Sequence, residues 1–86
     1  MVVNMNHFVY ILRCIDGTLY TGWTTNLDAR IEAHNQGTGA KYTRGRGPVA
    51  LVYSETYETK SCAMRREAEI KKLTREAKLS LINQHK

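Results

Sequence analysis

Apolar and polar positions along the chain divide into six short segments. From Phe8 to Cys14 the run Phe-Val-Tyr-Ile-Leu-Arg-Cys is aromatic, β-branched and almost continuously apolar, the pattern of a strand covered on both faces. Asp16-Gly17 follows, a strong hairpin dipeptide, and Leu19 to Thr24 returns as a second strand. Gly22 lies inside that strand, and an interior glycine marks a bulge or a close approach to the backbone. Asn26 is placed to cap a helix in which Leu27, Ile31 and His34 recur at helical spacing, with Gly37 as its stop. Gly37 to Pro48 reads as a loop, rich in glycine and carrying Lys41, Arg44 and Arg46. Ala50 to Tyr57 predicts a third strand, with Leu51 and Tyr53 alternating against Val52 and Ser54. Two helices follow, one over about 61–73 and one from Thr74, a second capping residue, carrying Ala77, Leu81 and Ile82. The order β-β-α-β-α-α predicts an α/β sandwich of the α+β kind. Its sheet is small, three-stranded and largely antiparallel, flanked by helices, and not a doubly wound parallel one.

Composition narrows the class. Eighty-six residues make one domain, 1–86, with its folded core over about 7–83. A domain this small buries only about two-thirds of its unfolded surface, so its core is thin. The 42% hydrophobic content excludes a disordered chain, and no apolar run approaches the ~18 residues of a membrane span. Met1 to His7 does not read as a signal peptide, and Cys14 and Cys62 form neither a disulfide framework nor a zinc pair. The expectation is a cytoplasmic protein with two reduced, buried thiols. Charge is uneven: residues 1–40 carry a net −1 and residues 41–86 a net +6. A basic half points to a polyanionic partner, most often nucleic acid, although basic helices are also simply solvated.

Candidate chemistry is sparse. Arg30 and His34 stand four apart on the first helix, beside the stripe of Leu27 and Ile31. Taken alone, such a pair is usually surface decoration. Glu67 is more telling. At about 100° per residue, Ala63, Glu67 and Ile70 fall within about 60° of one another, so a carboxylate lies inside the apolar stripe of its helix. A buried carboxylate needs a partner, either a cation such as Arg66, Lys71 or Arg30, or a metal. Tyr10 and Tyr20 share a face only in one of two registers. A two-residue turn at Asp16-Gly17 opposes Tyr10 to Trp23 and sends the tyrosines to opposite faces. A three-residue loop, Ile15-Asp16-Gly17, opposes Leu12 to Tyr20 and sets both tyrosines on one face. Trp23 and Tyr42 are aromatic enough to stack on a base, or to cover the thin sheet.

These residues resemble the GIY-YIG nuclease superfamily, and more closely its short, single-domain bacterial members. The Gly-Ile-Tyr signature reads Phe8-Val9-Tyr10 here, and Tyr-Ile-Gly reads Tyr20-Thr21-Gly22. Arg30 and His34 match the family's helix pair, Glu67 matches its metal-binding glutamate, and Gly39-Ala40-Lys41-Tyr42-Thr43 is similar to the loop of the short members. The resemblance runs over about residues 7–83. It implies hydrolysis of DNA phosphodiester bonds with Mg²⁺ or Mn²⁺, with weak sequence specificity or selectivity for structure, and a role in repair. Under it Glu67 holds the metal, Arg30 clamps the phosphoryl oxygens, Tyr10 is the general base, His34 accepts its proton and Tyr20 orients water or phosphate. Gly22 allows close approach to the backbone, and Asn83 corresponds loosely to an asparagine near the active site. Substrate recognition falls to the basic half, Lys41, Arg44, Arg46, Arg65, Arg66, Lys71, Lys72, Arg75 and Lys78, which bind phosphates and read little sequence, so a partner protein could supply targeting. Two other readings stand beside it: a non-catalytic nucleic-acid-binding module on the same scaffold, and an interaction domain in which Glu67 is merely salt-bridged.

Overall fold

The computed structural model describes residues 5–84. The elements are β1 (His7–Arg13), β2 (Leu19–Thr24), α1 (Leu27–Asn35), β3 (Ala50–Tyr57), α2 (Lys60–Lys71) and α3 (Arg75–Gln84). This is the expected order, in an antiparallel three-stranded sheet arranged β2-β1-β3. β1 is central because both of its faces are apolar. Val9 and Ile11 point to one side, where they meet Tyr53, Ala63, Ile70 and Ile82 of β3, α2 and α3. Tyr10, Leu12 and Cys14 point to the other, where they meet Val49, Tyr20 and the Leu27 and Ile31 side chains of α1. One helix therefore covers one face and two helices the other.

The hairpin takes the three-residue form. Cys14 N donates to Thr18 O at 2.8 Å, Gly17 N to Cys14 O at 2.9 Å, and Gly17 adopts φ 85°, a left-handed conformation that glycine adopts without steric cost. Leu12 then opposes Tyr20 and Tyr10 opposes Gly22, so both tyrosines face α1.

The capping residues act as their types predict. Asn26 Oδ1 accepts from Ala29 N at 3.2 Å, Thr59 Oγ1 from Cys62 N at 3.2 Å, and Thr74 Oγ1 from Ala77 N at 3.1 Å. α1 ends in paired closing bonds, Gly37 N to His34 O at 3.1 Å and Thr38 N to Ala33 O at 2.9 Å.

Four expectations need correction. β1 begins at His7 and ends at Arg13, because Cys14 already closes the hairpin. Thr59 caps α2, so that helix starts one residue early, and it ends at Lys71 instead of about 73. The simple alternation in β3 is broken by a register shift opposite Ile11 and Leu12, which pair with Tyr53 and Leu51 and leave Val52 between them. Of the two thiols only Cys14 is buried; Cys62 lies in the first turn of α2, on its solvent side.

The far end of the sheet is tied by an ion pair the sequence did not reveal. Arg66 of α2 grips Glu55 of β3 with Nε and Nη2 at 2.9 and 3.1 Å, and the hydroxyls of Tyr53 and Tyr57 donate to the same carboxylate. Burial alone would raise the pKa of Glu55. The bonds from Arg66, Tyr53 and Tyr57 outweigh it and hold the carboxyl below its ordinary value, while Tyr57 is pushed up to about 12. With side-chain exposures of 31% and 17% the pair is partly screened, so Arg66→Ala is expected to destabilise by roughly 1–3 kcal/mol, below the ~3–5 of a fully buried pair. A depressed carboxylate pKa gives stability that is present above its unfolded value and lost as pH falls through the folded one. Urea titrations should therefore find the difference between wild type and Arg66→Ala at pH 7 shrinking toward pH 3.

Candidate active site

Tyr10, Tyr20 and His34 are brought together on the α1 face of the sheet. The Tyr10 and His34 ring centroids are 5.9 Å apart, Tyr20 and His34 5.1 Å, and the two tyrosines 6.4 Å. Tyr10 and His34 are each only 1% exposed. Gly22 makes the Tyr10 position available: a Cβ there would stand 2.5 Å from the Tyr10 hydroxyl and 2.7 Å from Cζ. The ring thus crosses directly over the β2 backbone.

The hydrogen bonds around His34 engage both ring nitrogens. Tyr10 Oη lies 2.9 Å from His34 Nε2, and His34 Nδ1 lies 2.7 Å from Thr43 Oγ1. Thr43 Oγ1 also lies 3.1 Å from Ala40 O, to which it can donate while accepting from the ring. In the tautomer in which Thr43 does so, Nδ1 carries the proton, Nε2 is the acceptor, and Tyr10 donates to it. Burial, and then the nearby Arg30 charge, lower the pKa of His34, which keeps the ring neutral. Burial raises the pKa of Tyr10; Arg30 beside the phenol opposes this, and the charges of Tyr20 and Glu67 add to it.

Thr43 is the site residue that sequence reasoning missed. It sits in the loop after α1, nine residues beyond His34, where no periodicity marks it. The loop itself is firmly held. Arg30 Nη2 donates to Gly39 O at 3.1 Å, Val49 N to Asn35 Oδ1 at 2.6 Å, and Ile15 N to Arg46 O at 2.9 Å. Gly39 passes so close to His34 that a Cβ would fall 2.6 Å from Nδ1 and 2.9 Å from the His34 Cα. The only sequence signal for this contact was a glycine in the loop that precedes Thr43.

Glu67 stands on α2, in the opposite helical layer, half-buried as the wheel predicted. Its partner is Lys71, Nζ to Oε2 at 3.8 Å, a long contact that leaves most of the carboxylate's capacity unused. It meets the cluster through its charge on Tyr10. No group of three or more His, Cys, Asp or Glu converges among the described residues, so a cage of protein ligands does not fit. A largely hydrated divalent ion held by one carboxylate does.

The expected phosphate contacts divide. Lys41, Arg44 and Lys72 are exposed and make no ion pair among the described residues. Arg46 is bound to Asp16 at 2.7 Å, Lys71 faces Glu67, and Arg66 is committed to Glu55, which removes it as a free contact. Asn83 is not drawn into the cluster; it lines a groove of about 400 Å³ with Arg13, Leu51, Val52 and Leu79. Trp23 packs on the α2 side of the sheet, stacked on His7 with Lys60 over its ring, and so covers the core. Tyr42 stacks on Tyr20, with Arg46 4.5 Å from its centroid.

A model of the GIY-YIG catalytic domain matches residues 6–80. The chain belongs to the GIY-YIG family. It is therefore a member of a nuclease superfamily, and its fold is that of a nucleic-acid-binding domain. Similar proteins include the UPF0213 protein of Clostridium perfringens, 65% identical over 90% of this chain and 83% of the relative, and that of Staphylococcus aureus, 60% identical over 92% and 96%. Two solution NMR structures match: the UPF0213 protein BH0048 from Bacillus halodurans (54% identity, TM-score 0.61, 93% of this chain and 85% of that one), and protein EF2693 from E. faecalis (42%, 0.64, 99% and 91%). No helix among the described residues of this GIY-YIG chain is long and apolar enough to cross a membrane.

The direction of the relay is testable in the folded protein. Thr43→Val leaves the His34 Nδ1 proton buried without an acceptor, and is expected to destabilise by about 1–3 kcal/mol, whereas Thr43→Ser restores most of it. Nitrogen NMR of the imidazole should find the Nδ1-protonated tautomer in wild type and a mixture in Thr43→Val.

Proposed function

We propose that the chain is a divalent-metal-dependent endonuclease that hydrolyses DNA phosphodiester bonds, with weak sequence specificity or selectivity for DNA structure. The observation that carries this reading is the buried hydrogen-bonded chain from Tyr10 to His34 to Thr43, with Arg30 beside the phenol. With His34 protonated on Nδ1 it offers a hydroxyl whose proton points at an acceptor, in a domain of the nuclease superfamily. In this reading the Tyr10 proton moves to His34 Nε2, and the phenolate oxygen takes a proton from the water that attacks phosphorus. The bond to the leaving sugar oxygen breaks as the bond to water forms. Arg30 holds the phosphoryl oxygens as negative charge builds on them. Tyr20, against both partners of the relay, orients the water or phosphate. Glu67 is the residue that would hold Mg²⁺ or Mn²⁺. The ion would supply positive charge to the scissile phosphate and the leaving oxygen.

The electrostatics say why that charge matters. At ordinary values, a phenol near ~10 and an imidazole near ~6.5 leave the proton transfer uphill by about 5 kcal/mol. Burial widens the gap from both ends. The resting pair therefore stays neutral, and cationic groups beside the phenol are what bring the phenolate within reach. Recognition rests on Lys41, Arg44 and Lys72, with a repair role and a targeting partner consistent with contacts that read phosphate and not sequence.

The test is nicking of supercoiled plasmid and cleavage of branched and single-stranded oligonucleotides in Mg²⁺ or Mn²⁺. Wild type should cut, while Glu67→Ala and Arg30→Ala should lose about 10²-fold or more of the rate with the melting curve retained. Retained cleavage in both variants sinks the assignment, and binding without cleavage by wild type leaves the non-catalytic module. Because the relay needs neutral His34, whose pKa is held down, the rate should be flat near neutrality and fall with acidification only below about pH 6.5.

A further inference from the structure

Between the hairpin and the turn joining α2 to α3 lies a second concave region, of about 240 Å³, walled by Thr18, Leu19, Tyr42, Leu73, Arg75 and Lys78. Its charge is one-sided. Lys78 is half-buried, and no carboxylate among the described residues pairs with it. Burial, and then the charge of Lys71, push its ammonium below the ordinary lysine value. An anion arriving there would relieve both effects. Arg75 is fixed nearby, with Nη1 donating to Gly17 O at 2.9 Å, and a guanidinium so anchored keeps further donors to offer. Asp16, which bonds Thr18 on the cleft wall, is already compensated by Arg46.

Position ties the cleft to the cluster by two routes. Tyr42, on its wall, stacks on Tyr20 at 5.7 Å, and Tyr20 lies 5.1 Å from His34. Lys71, whose charge reaches Lys78, lies 3.8 Å from Glu67. Shape also limits the occupant. The cleft is smaller than the ~300–1,000 Å³ of sites for free small molecules, and its cations stand beside the apolar surfaces of Leu19, Leu73 and Tyr42.

We propose that this cleft is a phosphodiester subsite that holds the substrate strand beside the Tyr10–His34 cluster, with Lys78 and Arg75 on a phosphate and the apolar wall against the adjoining sugar. The inference rests on the nuclease reading and adds to it a fixed path for the strand. It separates Lys78, which stands in a built cleft, from the freely solvated lysines.

Fluorescence anisotropy with a short labelled single strand and its duplex, in a chelator so that nothing is cut, tests this across a salt series. Lys78→Gln should weaken binding several-fold irrespective of sequence and flatten the slope of log K against log salt by about 0.7 for the single strand. Lys78→Arg should behave as wild type. Lys60→Gln, the same charge change at the opposite end of α2, should leave the slope intact. Wild-type affinity and slope in Lys78→Gln, or an equal loss in Lys60→Gln, overturns the subsite while the nuclease reading stands. Failure of the wild-type chain to bind either probe overturns both.

Discussion

The neutral imidazole of His34, buried and bonded on both nitrogens, is the constraint around which this domain is arranged. It joins three segments distant in sequence: β1 through Tyr10, its own helix α1, and the loop after that helix through Thr43. Each bond contributes only about 0.5–1.5 kcal/mol net, but a buried nitrogen left unpaired costs about 1–3. In a domain whose total stability is of the order of 5–10 kcal/mol, that penalty explains why the surroundings are built so closely. Gly22 clears the path of the Tyr10 ring, Gly39 lets the loop touch His34, and the Ala40 carbonyl offers the Thr43 hydroxyl an acceptor.

Positive charge in the second half of the chain serves two ends. Arg66 and Arg46 are structural: one ties α2 to β3 through Glu55, the other ties the loop to the hairpin through Asp16. Lys41, Arg44 and Lys72 remain free among the described residues, and Lys78 is held in a cleft without a counter-ion. A net charge is silent on this division, since it counts an arginine locked to a glutamate like one facing solvent. The distinction decides which residues a polyanion meets.

Much of the fold was legible in the sequence because it depends on short-range pattern. The two-sided apolar run of β1, the caps Asn26 and Thr74 and the inward Glu67 all express local spacing, and the structure has them. The hairpin register was not legible, because the same dipeptide serves two loop lengths and a one-residue change inverts every side chain; the Cys14–Thr18 closing bond and the Leu12–Tyr20 pairing decide it. Thr43 and the Glu55–Arg66 pair were invisible for another reason. Each is a contact between separate elements, nine and eleven residues apart, at spacings no helix or strand imposes. The exposed Cys62 follows from the same limit, since a cysteine in a helical first turn carries no sign of which side it takes.

The pKa directions around the cluster bear on how such a site stays inactive at rest. Burial makes Tyr10 a weaker acid and His34 a weaker base, and the Glu67 carboxylate adds to the first effect. A phosphodiester brought alongside adds one more negative charge, which by itself would oppose phenolate formation further. Within the relay only Arg30 acts in the other direction on Tyr10. On the proposed reading, the same carboxylate that hinders the phenol when bare would hold positive charge beside it when carrying a cation. Glu67 would thus change sign in its effect on Tyr10 according to what it holds, and its half-buried position would give that change its reach.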